Sequence, residues 1–176
     1  CRDSEKGPIS GAAYVFVKLG ESWEKQQKLM ASDGQAQDNF GCAVAIDGDV
    51  IAVGSDQDED PGEYESFDNG SVYLFTRANA TWTETQRLTG AQNSDAFFGR
   101  SLALSGNRLV VGAPKTLISD VLGNTISDGA AFVFLWYGDW GWVQEAKLQR
   151  LGNDNSNTEF GRDVAISGTR IVVGAP

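Results

Sequence analysis

The stretch that decides the fold is residues 98–114, which read FGRSLALSGNRLVVGAP. Two apolar runs, 102–104 and 109–111, lie on either side of the pair Ser105-Gly106. Apolar runs joined by Ser-Gly or Asp-Gly predict a β-hairpin, because Gly readily supplies the positive φ of a tight turn. We call its strands A and B. Neither run alternates with polar residues, so we expect both strands to be covered on both faces.

The same stretch occurs three times with constant spacing. In each copy a Phe-Gly pair is followed, 14 residues after its Phe, by the Gly of Gly-Ala-Pro or of a variant. The motif residues are Phe40, Gly41 and Gly54; Phe98, Gly99, Gly112, Ala113 and Pro114; and Phe160, Gly161, Gly174, Ala175 and Pro176. A repeated unit of this size cannot bury its apolar face alone, so we expect the copies to stack on one another.

A second hairpin, with strands C and D, also occurs three times in the chain. It begins at Gly11, Gly70 and Gly129, which are 59 residues apart, and carries a Trp 12 or 13 residues later. Strand D is the more polar strand, which suits an outer edge facing water. One unit is therefore a four-stranded antiparallel sheet. We predict a single repeat domain over residues 1–176, with a C-D half-unit at 9–30, full units at 38–90 and 96–150, and an A-B half-unit at 158–176.

Phe-Gly, Gly-Ala-Pro and the strand Gly-Ser-Val-Tyr-Leu-Phe at 70–75 together resemble the FG-GAP repeat of integrin-α-type β-propellers. The resemblance implies an all-β fold, a partial β-propeller of four-stranded antiparallel blades with strand A innermost. It also implies a non-enzymatic binding or adhesion module, extracellular or at the cell surface, that presents loops to a protein or glycan partner. The alternative it leaves open is an accessory propeller region of a larger secreted enzyme, such as a phospholipase or another hydrolase.

The number of strands bears on how a ring could close. Two full blades and two complementary half-blades make about three blades, whereas propellers typically have about 4–8. Either the chain is part of a longer propeller, or two chains complete each other's half-blades. Taken alone, this chain exposes open blade edges, so we expect the isolated piece to dimerise or aggregate.

Composition excludes several function classes. The net charge is -10 with no His, so we expect no nucleic-acid partner and no Ser-His-Asp or Cys-His catalysis. No apolar run approaches 18 residues, so no membrane span is expected in this chain. We expect no catalytic residues.

Calcium is the cofactor to consider, because an acidic loop between strands A and B binds it in the integrin-like relatives. Here the A-B connections are tight turns at Gly48, Gly106 and Gly168, so we expect no cofactor at that position. Asp56, Asp58 and Asp60, in the first B-C loop, match the first three positions of a calcium loop. Pro61 and Phe67 stand where such a loop needs Gly and Glu. The pattern thus leaves two interpretations, a solvated acidic loop or a calcium site.

Three further features of the sequence are expected to lie at the surface. Asn79-Ala80-Thr81 is a sequon, so Asn79 is a glycosylation site if a eukaryote secretes the protein. The B-C loops 56–68 and 115–128 are the variable connections on which we expect binding. Trp136, Tyr137 and Trp140 have no counterparts in the other copies, which indicates either a contact patch or a locally enlarged core.

Overall fold

The computed structural model describes residues 5–58, 69–90, 95–119, 125–150 and 158–176. These residues form fifteen strands and one 3₁₀ turn, Gly138–Trp140. The strands are β1 Ala13–Leu19, β2 Ser22–Leu29, β3 Phe40–Asp47, β4 Val50–Ser55, β5 Ser71–Ala78, β6 Thr81–Thr89, β7 Asp95–Ala96, β8 Ser101–Ser105, β9 Arg108–Ala113, β10 Lys115–Ser119, β11 Thr125–Ser127, β12 Ala130–Trp136, β13 Trp142–Leu148, β14 Val164–Ser167 and β15 Arg170–Val173.

The strands form two complete sheets between two hairpins. The first blade has the order β3-β4-β5-β6, the second blade has the order β8-β9-β12-β13, and both are antiparallel throughout. The hairpins β1-β2 and β14-β15 are the N-terminal and C-terminal half-blades. The prediction of an all-β partial propeller is confirmed, and the sheets do not close into a ring.

The second B-C connection is more structured than the sequence predicted. Strands β10 and β11 pair with each other, and β10 also pairs with β7, which forms a small three-stranded sheet. The sequence alone predicts a loop here, because its apolar residues are too few to indicate a strand without the neighbouring segment.

The second strand of each full blade is buried on both faces. In β4, Ile51 and Val53 face a core shared with the N-terminal half-blade, whereas Ala52 faces the core shared with the second blade. In β9, Val110 faces the C-terminal half-blade and its two neighbours face the first blade. Each core therefore belongs to two consecutive units, as stacked repeats require.

Strand A of the first blade departs from this expectation. Val44 and Ile46 of β3 are each 61% exposed. The N-terminal half-blade consists of strands C and D, so no strand A of that half-blade covers these two side chains. In the second blade the equivalent Leu102 and Leu104 pack against the core shared with the first blade.

The glycines of the repeat motif lie where consecutive units touch. A Cβ added to Gly112 would lie 2.0 Å from the carbonyl oxygen of Gly161, and one added to Gly54 would lie 2.1 Å from that of Gly99. The Gly of Gly-Ala-Pro thus meets the Gly of the next Phe-Gly pair at backbone distance. A side chain at either position would push the units apart.

Glutamines join the outer strands of consecutive units. The Gln27 side-chain amide accepts a hydrogen bond from the Trp82 N–H (2.8 Å) and donates one to the Trp82 carbonyl (2.7 Å). Gln86 makes the same two bonds to Trp142, at 2.8 and 3.0 Å. These clamps fix each outer strand to the next without any direct strand pairing.

Candidate binding rim

One end of the blades carries the longer connections. Because the sheets are antiparallel, the B-C and D-A connections lie at one end, and the A-B and C-D turns lie at the other. We call the first end the rim. Its connections stand on buried strands, an arrangement in which loops can vary without loss of the fold.

The described part of the rim contains a groove of about 220 Å³ between three consecutive units. We call it the rim groove. Its lining residues are Asn39, Asp56, Gln57, Phe97, Arg100, Pro114, Lys115, Glu159 and Arg162. The first three come from the first blade, the next four from the second, and the last two from the C-terminal half-blade.

Ion pairs hold the groove's charged side chains, and two of these pairs join different units. Arg100 Nη1 lies 2.9 Å from Asp56 Oδ2, and the Asn39 side-chain amide donates a 2.7 Å hydrogen bond to Asp56 Oδ1. Lys115 Nζ lies 2.7 Å from Glu159 Oε1, and Arg162 pairs with the other oxygen of the same carboxylate. These hydrogen bonds, from Lys115 first and then Arg162, hold the pKa of Glu159 below its usual range.

The groove is more positive than the rest of the chain. Three cations and two carboxylates line it, in a chain whose net charge is -10. The Arg100 and Arg162 side chains are 47% and 55% exposed despite their ion pairs. A guanidinium has five N–H donors, so each can hold its carboxylate partner and also donate to a bound group.

The structure places Asp56 and Asp58 in different buried contacts. Asp56 faces Arg100, as described, whereas Asp58 Oδ2 accepts hydrogen bonds from the Tyr73 hydroxyl (2.7 Å) and Arg87 Nη2 (2.9 Å). Their side chains are 2% and 5% exposed, so these two residues are not solvated loop carboxylates. Asp60 lies outside the described residues. Within the described ranges no group of three or more His, Cys, Asp or Glu side chains could hold a metal ion. The calcium interpretation therefore stays a prediction.

Burial perturbs two titratable groups beside Asp58. It raises the pKa of Asp38 to about 6, against the lowering effect of the Gln35 N–H, and the carboxylates of Asp58 and Asp33 raise it further. Burial and then the Asp58 carboxylate also raise the pKa of Tyr73 above its usual range. This polar cluster links the D-A connection to the first blade and holds the rim in place.

The family's calcium position does not fit the A-B turns. Each turn has two residues between its strands, at 48–49, 106–107 and 168–169. In the first turn, Asp49 accepts a hydrogen bond from Arg77 Nε (2.7 Å), and the adjacent Asp47 accepts one from the Gly106 N–H (2.6 Å). Both carboxylates are thus hydrogen-bonded to groups of the chain itself. A two-residue turn cannot supply the several oxygen ligands that a calcium ion needs.

Two other predicted features lie at the opposite end. Asn79 occupies the exposed turn between β5 and β6, with φ 57°, so the sequon is accessible. The aromatic side chains of Trp136, Tyr137 and Trp140 are all exposed, Trp140 by 85%. Of the two interpretations of these aromatics, the structure favours the contact patch over the enlarged core.

The rim groove was not apparent from the sequence. Its one available signal was the recurrence of Arg100 and Arg162 directly after Phe-Gly, with Cys42 in the equivalent place of the first blade. Cys42 Sγ lies 3.6 Å from the Gly99 carbonyl oxygen, and burial together with Asp56 raises its pKa to about 12. At this position the first blade therefore has an unreactive thiol, where the other two copies have a charged arginine side chain.

Comparison with known proteins identifies the repeat. The FG-GAP repeat family matches three stretches, residues 23–75, 82–134 and 142–176, which together make up most of the chain. The first two matches each run from strand D of one unit through strands A, B and C of the next. No match was found among curated proteins. In the part of the chain that the structure describes, no helix has the length and apolar character needed to cross a membrane.

Proposed function

Because this chain belongs to the FG-GAP repeat family, we propose that it is a non-enzymatic, extracellular binding module that holds a protein or glycan partner at its rim. FG-GAP repeats are common in extracellular proteins. The observation that carries the proposal is the rim groove, which gathers Arg100, Lys115 and Arg162 around one space between three units. These 176 residues contain no His, which supports a non-enzymatic role.

The chemistry of the groove favours a partner with an acidic group. A planar guanidinium can donate two parallel hydrogen bonds to a carboxylate, a geometry that gives both affinity and orientation. Because the net charge of the chain is -10, an acidic partner is disfavoured over much of the remaining surface, which adds specificity to the rim. An acidic peptide segment and an acidic glycan both offer this group.

The test compares two arginines at opposite ends of the blades. The chain is applied to arrays of acidic and neutral glycans and of acidic and neutral peptides. We expect binding to acidic probes, weakened about ten-fold or more by Arg162→Ala, since a hydrogen bond to a charged group contributes roughly 1.5–3 kcal/mol. Arg77→Ala is the matched control, because Arg77 is also a partly exposed arginine in an ion pair, with Asp49.

Two outcomes would contradict the proposal. One is equal loss of binding in the Arg162→Ala and Arg77→Ala variants, which would place the contact away from the rim. The other is equal binding of acidic and neutral probes, which would show that the groove's charge plays no part.

A further inference from the structure

The turn around each Phe-Gly pair has the same backbone geometry in all three copies. The residue before Phe, which we call the pre-Phe residue, has a positive φ without being Gly: 59° at Asn39, 61° at Phe97 and 48° at Glu159. Its carbonyl oxygen accepts a hydrogen bond from the N–H of the residue after Phe-Gly, at 3.1, 3.1 and 2.9 Å. All three pre-Phe residues line the rim groove. The repeat therefore places one residue of each unit in the groove by a common turn.

The pre-Phe side chains differ although their backbone does not. They are an amide, an aromatic ring and a carboxylate. Asn tolerates a left-handed backbone, whereas for a bulky residue such as Phe97 the conformation is unfavourable. Residues held in such conformations cluster at binding sites, where the surrounding structure maintains them.

The Phe97 ring is not part of a hydrophobic core. The next residue, Phe98, is 1% exposed and belongs to the core between the first and second blades. Phe97 is half-buried and belongs to none of the three cores formed by the described residues. Together with Pro114 it gives the rim groove an apolar part beside the charged one.

Amide side chains add a third kind of contact to the groove. Those of Asn39 and Gln57 line it, and the Asn39 amide nitrogen donates to Asp56. An amide has both donors and an acceptor, as a hydroxyl group does, whereas a carboxylate only accepts. The volume of about 220 Å³ is below the roughly 300–1,000 Å³ of pockets that enclose a drug-sized ligand, so the groove suits one unit of a longer partner.

Resting on the function proposed above, we propose that the acidic group bound in the rim groove belongs to a sugar, so that the groove takes one acidic pyranose unit of a glycan. The groove's arginines hold the carboxylate, the amides bond to ring hydroxyls, and the Phe97 ring lies against a C–H face of the sugar. The negative face of an aromatic ring attracts such weakly positive C–H edges. An acidic peptide side chain carries its carboxylate on a flexible chain and offers no comparable face. Phe97 is then a specificity-determining residue that selects sugar acids over peptide acids.

The test compares matched small probes by NMR titration of the whole chain. The acidic sugars are methyl glucuronide and the methyl glycoside of N-acetylneuraminic acid, and the neutral controls are the same sugars with the carboxylate reduced to an alcohol. Glutamate capped at both ends is the peptide acid. We expect at least one acidic sugar to bind about five-fold or more tightly than the capped glutamate and than its own neutral form.

Substitutions of Phe97 separate the ring from the charge. Phe97→Asn, which introduces the pre-Phe residue of the first copy, should weaken binding of the acidic sugar about five-fold or more and leave that of capped glutamate unchanged. Phe97→Tyr keeps the ring and should retain sugar binding. Arg162→Ala should weaken both acids, because both use the charge.

Urea unfolding of the same variants distinguishes a ligand contact from packing. Because Phe97 belongs to no core and has a left-handed backbone, Phe97→Asn should leave the unfolding midpoint unchanged or raise it. A lowered midpoint accompanied by lost sugar binding would mean that the ring supports the fold, and would overturn the inference.

The remaining outcomes separate this inference from the function on which it rests. Capped glutamate binding as tightly as both acidic sugars, or sugar binding that Phe97→Asn does not change, would overturn the sugar assignment and leave an acid-binding rim in place. Equal binding of the acidic and neutral sugars would do the same for the role of the sugar's carboxylate. No binding of any acidic probe would overturn both proposals.

Discussion

Replacing Phe98 with Ala tests whether the Phe of the repeat motif holds consecutive blades together. Phe98 is 1% exposed and belongs to the core between the first and second blades. Truncating a fully buried Phe costs roughly 3–5 kcal/mol, including the cavity that remains. Its two edge-to-face partners are fixed on β12, and such ring pairs contribute about 0.5–1.5 kcal/mol each, so we expect a value in the upper half of that range.

The assay is urea-induced unfolding followed by tryptophan fluorescence. Phe160→Ala is the matched control, since Phe160 holds the same motif position but is only partly buried and has no strand C beside it in its own half-blade. Partial burial predicts a loss below about 2 kcal/mol.

Equal reductions in the free energy of unfolding by Phe98→Ala and Phe160→Ala would contradict this expectation. Equal losses would mean that the contacts with strand C do not decide the contribution of this Phe. A loss below about 1 kcal/mol for Phe98→Ala would show that the core between the blades can collapse around the cavity.

Three further substitutions test the contacts between units and the buried polar cluster. Gly112→Ala puts a Cβ against the next unit's backbone and should lower the free energy of unfolding by about 1–3 kcal/mol or more. In Gly106→Ala the added Cβ meets no atom within 4 Å, so the variant bears only the strain of φ 58°, about 1–2 kcal/mol. We expect the larger loss for Gly112→Ala. Equal losses in urea unfolding would contradict the close approach. For Asp38, whose pKa rises from 3.8 to about 6 on folding, the stabilising contribution is complete below pH 3.8 and is lost as pH rises through 6. Asp38→Asn cannot ionise, so its stability relative to the unmodified chain should increase between pH 4 and 7, and a pH-independent difference between the two unfolding curves would argue against this. Gln86→Ala removes two hydrogen bonds to the next blade and should lower the free energy of unfolding by about 1–3 kcal/mol. Gln144→Ala, on the exposed surface of β13, should have almost no effect, and similar losses for both glutamines would exclude the clamp.

The fold was predictable from the sequence because its determinants are local. A hairpin requires two apolar runs and a Gly turn within about 14 residues. This pattern occurs three times in the chain, beginning at Phe40, Phe98 and Phe160. Stacking then follows from strands without a polar face, such as β9.

The candidate site was not predictable because its contacts are remote in the chain. Asp56 pairs with Arg100 across 44 positions, and Lys115 pairs with Glu159 across the same separation. Nothing adjacent to Asp56 in the sequence distinguishes an ion-paired carboxylate from a solvated or metal-binding one. Its acidic neighbours even favoured the wrong environment, since an acidic run is typical of an exposed loop.

The contrast between the three copies of the motif indicates which part of the repeat serves the fold and which part is free for binding. The glycine contacts recur with almost the same geometry, 2.1 Å at Gly54 and 2.0 Å at Gly112. Directly beside them, the rim side chains change: the residue after Phe-Gly is Cys42 in one copy and an arginine in the others, and Arg100 pairs with Asp56 whereas Arg162 pairs with Glu159. Packing between units therefore depends on backbone contacts that tolerate no side chain, while the charges above them can differ without disturbing that packing. A scaffold with this division can carry a different rim on each blade, and those differences meet in the groove between three units, which is why we propose the groove as the binding surface.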